Sequence, residues 1–295
     1  MNMRIEKKWV YLIALSLIWG SSFILIKKSL IGLSPLQVGS LRIVFSSIMI
    51  FLIAFNKIKT IQKDKWKWIA VSAVIGTFLP AFLFAFAETQ IDSAVAAILN
   101  SLVPMNTVLI GLAVFKISTT KTQSLGVIIG FIGTAVLIIS GSDLNPDQNY
   151  LYSGLVIICS ILYATNVNLI KKHLFDVNAV AIAAGQFFVI FVPSIIVLVY
   201  SGFFDLEFRN NDLLYDSLLY VLLLSFFGTA MAKILFNKLI QISSPVFASS
   251  VTYSMLIVSV LWGMLDGELF NINQAVATIL IIIGVYLSNK KKPID

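Results

Sequence analysis

The side chains able to do chemistry in this sequence are the few charged and polar residues set inside long apolar runs. Arg42 and Lys233 lie within such runs, and Glu88 closes one. A charge at the centre of a membrane helix costs on the order of 2.5–3.5 kcal/mol on insertion scales, so each needs a reason to be there. Arg42, about two helical turns into its run, is placed to meet an anionic group or the carbonyls of an interrupted helix. Its plain alternative is to snorkel to the headgroups or to brace two helices. Lys233 lies near the end of its run and reads as a snorkelling lysine, while Glu88 reads as an interfacial carboxylate.

Uncharged polar and aromatic residues supply the remaining candidates. Asn100, Ser101 and Asn106 surround Pro104, which removes a backbone donor and kinks a helix, leaving carbonyls open to a cavity. Trp19 and Ser22 sit in the first run, Tyr163, Asn166 and Asn168 in the sixth, and Thr252, Tyr253 and Trp262 in the ninth. Asparagines two apart point to different helix faces, so Asn166 and Asn168 cannot both line one cavity squarely. Asn and Ser in membranes also serve as interhelical hydrogen bonds of around 0.6 kcal/mol each. The candidate substrate contacts are therefore Trp19, Ser22, Arg42, Asn100, Tyr163, Asn166 and Tyr253.

Enzymatic chemistry lacks its usual parts. The sequence has no paired acids or histidines at one depth, no phosphate-binding glycine motif and no metal-ligand spacing; His173 and Cys159 are the only ones of their kind. We expect no catalytic residue, no cofactor and no metal. Proton exchange against organic cations needs a mid-membrane carboxylate whose raised pKa lets proton and substrate compete. The first, second, fourth, fifth, sixth, seventh, ninth and tenth runs carry no acid in their middle thirds, which favours a neutral or zwitterionic substrate.

The elements that must position these residues follow from composition. Of 295 residues, 59% are hydrophobic and 12% charged, against roughly 25% charged in a soluble domain. The lysines and arginines flank apolar runs rather than form a stripe, so the net charge of +7 reads as a topology signal and not as a nucleic-acid surface. The basic start and apolar run at the N-terminus suit a signal peptide only superficially, because the run is too long and lacks a cleavage site. A bilayer core needs roughly 20 apolar residues as helix, and ten runs are candidates: 9–26, 36–55, 66–87, 94–115, 125–139, 151–170, 179–200, 213–236, 245–265 and 272–287. Without water to satisfy peptide groups, and without barrel alternation, they must be helices. Trp66 and Trp68 beside Lys65 and Lys67 suit an interfacial belt. The Gly126-xxx-Gly130 face suits close packing within the chain, or a homodimer.

The chain also repeats. Residues 90–136 match 241–287 at nine of 47 positions, an offset of 151, and Leu25-Ile26-Lys27-Lys28 recurs as Leu169-Ile170-Lys171-Lys172 at an offset of 144. Two blocks in the same order at similar offsets predict a duplication, 1–145 and 146–295, with five spans each. If the N-terminus is cytoplasmic, sixteen basic residues lie at inner ends and three at outer ends, a strong positive-inside bias that puts both termini in the cytoplasm. Five is odd, so the halves are inverted. Lys27 and Lys28 then fall outside while Lys171 and Lys172 fall inside.

Trp19-Gly20-Ser21-Ser22-Phe23, Ser34-Pro35 followed by Leu41-Arg42, and Asp266-Gly267-Glu268 resemble the EamA-type branch of the drug/metabolite transporter superfamily. The resemblance covers nearly the whole chain. It implies an all-α membrane protein of ten transmembrane helices in two inverted five-helix EamA-like repeats, located in the cell (inner) membrane. It further implies a central cavity bounded by both halves, peripheral fifth and tenth spans, and export or uptake of small metabolites, amino acids or toxic compounds. The family often has a Gly-Glu pair in both halves; here the first-half positions hold Lys116 and Ile117, which leaves Glu268 a loop-structural role. The expectation is a secondary carrier whose partners are a small-molecule substrate and the lipid bilayer. An intramembrane lipid-acting enzyme and a structural or accessory subunit are the alternatives.

Overall fold

The computed structural model describes residues 7–115, 121–144, 148–205 and 213–288. Every regular element among them is helical. Eight segments are long and apolar enough to cross a membrane, and two shorter apolar helical stretches, Ile128–Ser140 and Ile272–Leu287, follow the fourth and the eighth of these. The helices are α1 (Lys7–Ser29), α2 (Pro35–Ala54), α3 (Trp66–Ala73, Val74–Phe78 and Leu79–Ala87) and α4 (Ser93–Asn100 and Val103–Phe115). They continue as α5 (Lys121–Leu144), α6 (Ser153–His173) and α7 (Ala179–Tyr200). Last come α8 (Leu214–Leu223, Leu224–Met231 and Ala232–Ile242), α9 (Pro245–Ser249 and Val251–Leu265) and α10 (Ile272–Ser288).

Local sequence sets the helix ends. Ser34 caps α2 in a reciprocal box: its hydroxyl accepts from the Gln37 N–H at 3.4 Å, and the Gln37 side chain accepts from the Ser34 N–H at 2.9 Å. Pro35 occupies the first helical position, where its missing N–H costs nothing. Asn178 caps α7 through the N–H groups of Val180 and Ala181. Ser34 and Asn178 are themselves 144 apart, the offset of the twin lysine motif. α9 ends where Gly267 turns left-handed at φ 84°, its N–H meeting Met264 while Glu268 N–H reaches back to Gly263.

Two kinds of interruption recur. Wide turns replace regular α-helix at Val74–Phe78 in α3 and Leu224–Met231 in α8, and α4 and α9 break near Ser101–Leu102 and Ser250. The starts of the wide turns are 150 residues apart. Pro104 does not kink a continuous helix; it sits just inside the second half of α4, where proline is tolerated.

α1 packs against α8 and α9, α2 against α7 and α8, and α4 against α6 and α9, while α5 and α10 pack chiefly on each other. That pair is a small-residue joint. A Cβ on Gly284 would collide with the backbone of Gly126 and Gly130, and one on Gly133 with Ile281 and Ala277. The Gly126-xxx-Gly130 face is therefore occupied by α10 within the chain. Large apolar side chains such as Leu52, Ile196, Leu265 and Tyr286 stay exposed, the surface expected where the solvent is lipid.

Gly284→Val should destabilise the protein by about 1–3 kcal/mol, the usual cost of forcing bulk against backbone. Gly154→Ala, where an added Cβ meets nothing within 4 Å, should leave stability unchanged or slightly raised. Thermal unfolding of both variants in detergent, followed by size-exclusion recovery, measures the difference.

Candidate functional site

The interruptions open backbone carbonyls that an unbroken helix would bury. The carbonyl of Gly76 would take its hydrogen bond from the residue four ahead, but that residue is Pro80, which has no N–H. Lys233 Nζ fills the gap at 2.8 Å. In α8 the N–H of Ala232 bonds Phe227 and Thr229 rather than Gly228, and the Gly228 carbonyl instead accepts Trp19 Nε1 at 3.0 Å. Each link joins an interruption in one half of the sequence to a side chain from the other half.

These groups wall a single cavity. It is lined by Trp19 and Ser22 of α1, Arg42 of α2, Gly76 and Thr77 of α3, Asn100 of α4, Tyr163 and Asn166 of α6, Gly228, Thr229 and Lys233 of α8, and Thr252 of α9. Its space for the centres of water-sized molecules is ≈ 90 Å³; at roughly 10–15 Å³ per water centre it admits several waters or a small organic molecule. Phe23, Phe84 and Phe236 add aromatic wall. Arg42 Nε donates to Thr229 Oγ1 at 2.6 Å, and two buried polar atoms of the lining, Thr77 Oγ1 and Asn100 Oδ1, have no hydrogen-bond partner among the described residues. Buried polar atoms are nearly always satisfied, so these two call for water or ligand.

The cavity brings together six of the seven candidate residues: Trp19, Ser22, Arg42, Asn100, Tyr163 and Asn166. Tyr253 is not among its lining, because at the break in α9 it is Thr252 and Met255 that face inward; Tyr253 packs on the adjoining core. Asn166 reaches Ser72 at 2.5 Å and Ser72 in turn takes Gln186 Nε2, whereas Asn168 points elsewhere, toward the carbonyls of Thr107 and Ala164.

Lys233 does not snorkel. It is 6% exposed and turned to the cavity, since the carbonyl freed by Pro80 offers it a nearer partner than the headgroups. Glu88 is likewise buried, in the turn just past α3, and both its oxygens lack a hydrogen-bond partner among the described residues. Burial, with the charge of Glu268 nearby, holds its carboxyl well above the ordinary range. Sequence reading passed over the pair Gly76-Thr77 and Gly228-Thr229, although the same dipeptide at an offset of 152 was there to be found.

One end of the helix array is clasped. Glu268 Oε1 accepts Lys27 Nζ at 2.9 Å, Ser93 N–H at 3.0 Å and Ser93 Oγ at 2.6 Å, and its Oε2 accepts Ala94 N–H at 3.0 Å. The carboxylate thus caps the N-terminus of α4, where the helix dipole favours negative charge, and pins α1 to it. Asp266 joins through Lys27 at 3.1 Å and through Lys28. Glu268 therefore does more than shape its own loop. Lys116 and Ile117, its counterparts in the first half, lie outside the described residues. At the other end Lys171 Nζ holds the carbonyls of Ile240, Gln241 and Ser243 at 2.7–3.4 Å, and Lys65 pairs with Asp176 at 2.7 Å.

A bundle of apolar helices around a polar-lined central cavity, closed by ionic contacts, defines an integral membrane protein of the transporter class. The model of the EamA-like transporter family matches residues 7–139 and again 151–290, and the chain belongs to that family. It is similar to an uncharacterized transporter of Archaeoglobus fulgidus, 24% identical over 97% of this chain and 100% of that one. It is also similar to the uncharacterized inner membrane transporter YedA of Escherichia coli K12, at 27% identity over 94% of this chain and 88% of that one. The uncharacterized transporter YoaV of Bacillus subtilis is 24% identical over 94% of each. A solved crystal structure shares the fold, with a TM-score of 0.66 over 96% of each chain at 14% identity.

The clasp gives a pH prediction. Burial alone would raise the Asp266 carboxyl, but hydrogen bonds from Lys28 and Lys27 outweigh it and hold the group below its ordinary value. Its contribution is complete above the ordinary aspartate pKa and is lost as pH falls through the depressed value. Thermal stability of the wild type should therefore drop across that acidic window more than that of Asp266→Asn, a comparison read by melting both proteins at stepped pH. Glu268→Gln, which keeps the shape but gives up the charge, should cost about 1–3 kcal/mol at neutral pH.

Proposed function

We propose that the chain is a secondary carrier, for export or facilitated passage of small metabolites or toxic compounds, that works by alternating access. In this reading ten helices cross the cell (inner) membrane as two inverted five-helix halves, 1–145 and 146–295, with both termini in the cytoplasm. α5 and α10 supply the two crossings whose apolar stretches are shortest.

The observation that carries the reading is the cavity itself. α1 to α4 on one side and α6, α8 and α9 on the other wall it, and its polar side chains, Arg42, Asn100 and Lys233 among them, gather beside two helix interruptions, the construction expected of a midplane site between inverted halves. Pairs of residues at the repeat offsets support the inversion. Gly76 lies against Asn166 and Gly228 against Ser22, and Asn166 is the repeat counterpart of Ser22. The sixteen-to-three bias of basic residues supports the orientation. Substrates with an apolar or aromatic body and one compact polar group suit the walls, amino acids among them. The transporter names of the relatives agree with a chain that is not an enzyme.

Trp19→Ala removes a cavity wall and the bond to the Gly228 carbonyl. It should lower substrate counterflow in proteoliposomes at least tenfold while folded yield is kept. For access, Cys159 is replaced by Ala and single cysteines are introduced at Ser22 and Asn166. A water-soluble thiol reagent should label these positions from either side of the membrane, in proportions that shift on adding substrate. Labelling from one side only under all conditions would count against alternating access.

A further inference from the structure

The charges on the cavity wall are both positive. Among the described residues, Arg42 and Lys233 line the cavity and no acidic side chain does. They are held as a pair: Arg42 Nε is fixed by the hydroxyl of Thr229, and Lys233 follows Thr229 by four residues on the same helix, one turn further along α8. Both side chains line the same cavity. Each fixed contact uses only part of its donor set. Arg42 keeps the two outer nitrogens of its fork, and Lys233, bonded to the Gly76 carbonyl, keeps two of its three N–H groups.

No ion pair neutralises either cation among the described residues. The four ion pairs there belong to Lys27, Lys28 and Lys65. Glu88 makes none there and is not part of the cavity lining. Two basic side chains buried in an apolar membrane interior with no ion pair are costly to keep charged unless a counter-charge visits them. Cation-binding is excluded for the same reason: an ammonium entering here would meet two like charges and no carboxylate.

We propose that the cavity is a binding site for a small organic monoanion, whose carboxylate sits between Arg42 and Lys233 and whose apolar body lies against the aromatic wall of Trp19, Phe84 and Tyr163. The planar fork of Arg42 suits the two oxygens of a carboxylate. A single negative charge is the better match, because a second would have to be desolvated against the same apolar walls. The site narrows the proposed substrates from the neutral or zwitterionic toward the acidic. A zwitterion can offer its carboxylate, but its ammonium finds only neutral acceptors such as Asn100 Oδ1 and Thr77 Oγ1. This inference rests on the carrier reading for its meaning, and not for its test.

The test is a series that keeps one body and changes the charge: phenylacetate, phenylalanine, phenylacetamide and phenethylamine. Binding to the purified wild-type protein is measured by calorimetry and by ligand-induced thermal stabilisation at up to millimolar concentration. Phenylacetate should bind best, phenylalanine less well, and the amide and the amine at least tenfold more weakly than phenylacetate. Arg42→Gln and Lys233→Met should each weaken phenylacetate roughly tenfold or more and narrow its advantage over phenylacetamide. Arg42→Lys, which keeps the charge and loses the fork, should keep part of that advantage. Equal binding of acid and amide, tighter binding of the amine, or no stabilisation by phenylacetate overturns the inference, and these outcomes come from wild-type protein, so none depends on a variant that fails to fold. Counterflow of the same four compounds separates the two readings. Phenylacetate binding without counterflow rejects the carrier and keeps the anion site, whereas counterflow indifferent to charge rejects the anion site and keeps the carrier.

Discussion

Hydrocarbon offers no water to an unpaired carbonyl, and the architecture is organised around two that the helices themselves leave open. The Gly76 carbonyl loses its helical donor to Pro80, and that of Gly228 is bypassed by the wide turn of α8. Each is satisfied from across the cavity, by Lys233 and by Trp19. These two bonds tie α3 to α8 and α8 to α1. They also explain why a lysine and a tryptophan can sit this deep in an apolar bundle, and why glycine stands at both interruptions. A Cβ on Gly76 would meet Asn166, and one on Gly228 would meet Ser22.

The two ends of the array are closed by different chemistry although the sequence motifs at them are twins. Lys27 and Lys28 find two carboxylates, Asp266 and Glu268, the second of which also caps α4. Lys171, from the second copy of the motif, finds backbone carbonyls of the last turn of α8 and of Ser243 just past it. A charge pair with several hydrogen bonds resists separation more than bonds from one amine to neutral carbonyls. The twin lysines thus hold their ends by different bonds, although the Lys171 end also carries the Lys65–Asp176 pair, and divergence of a few loop acids after duplication is enough to produce the difference.

The helical class and the duplication were legible because both are written in long patterns: apolar run length, basic flanks and offsets of 144 and 151. Single-residue placement was legible only where one helix decided it. Trp19, Arg42 and Asn100 could be chosen because each stands out in an apolar run. Tyr253 falls outside the cavity lining while its neighbour Thr252 is in it, just past a break at Ser250 that nothing local in Ser-Ser-Val-Thr-Tyr signals. Lys233 and Glu88 were misread for a related reason. Depth along a helix is readable from sequence, but whether a side chain turns inward depends on partners from other helices, here the Gly76 carbonyl and the packing around the α3 turn.

On the anion-site proposal, substrate charge and helix geometry are coupled through Lys233 and Arg42. Lys233 spends one N–H on the carbonyl at the interruption of α3 and presents the others to the cavity. An anion that draws the ammonium toward itself weakens the bond to Gly76, and the freed carbonyl must then seek another donor or relax the wide turn at Val74–Phe78. Arg42 transmits the same pull to Thr229, inside the wide turn of α8. Ligand contact and the two least regular stretches of backbone thus share their hydrogen bonds. A ligand shifts a conformational equilibrium only by its differential interaction with the two states, and these shared bonds are where such a difference arises.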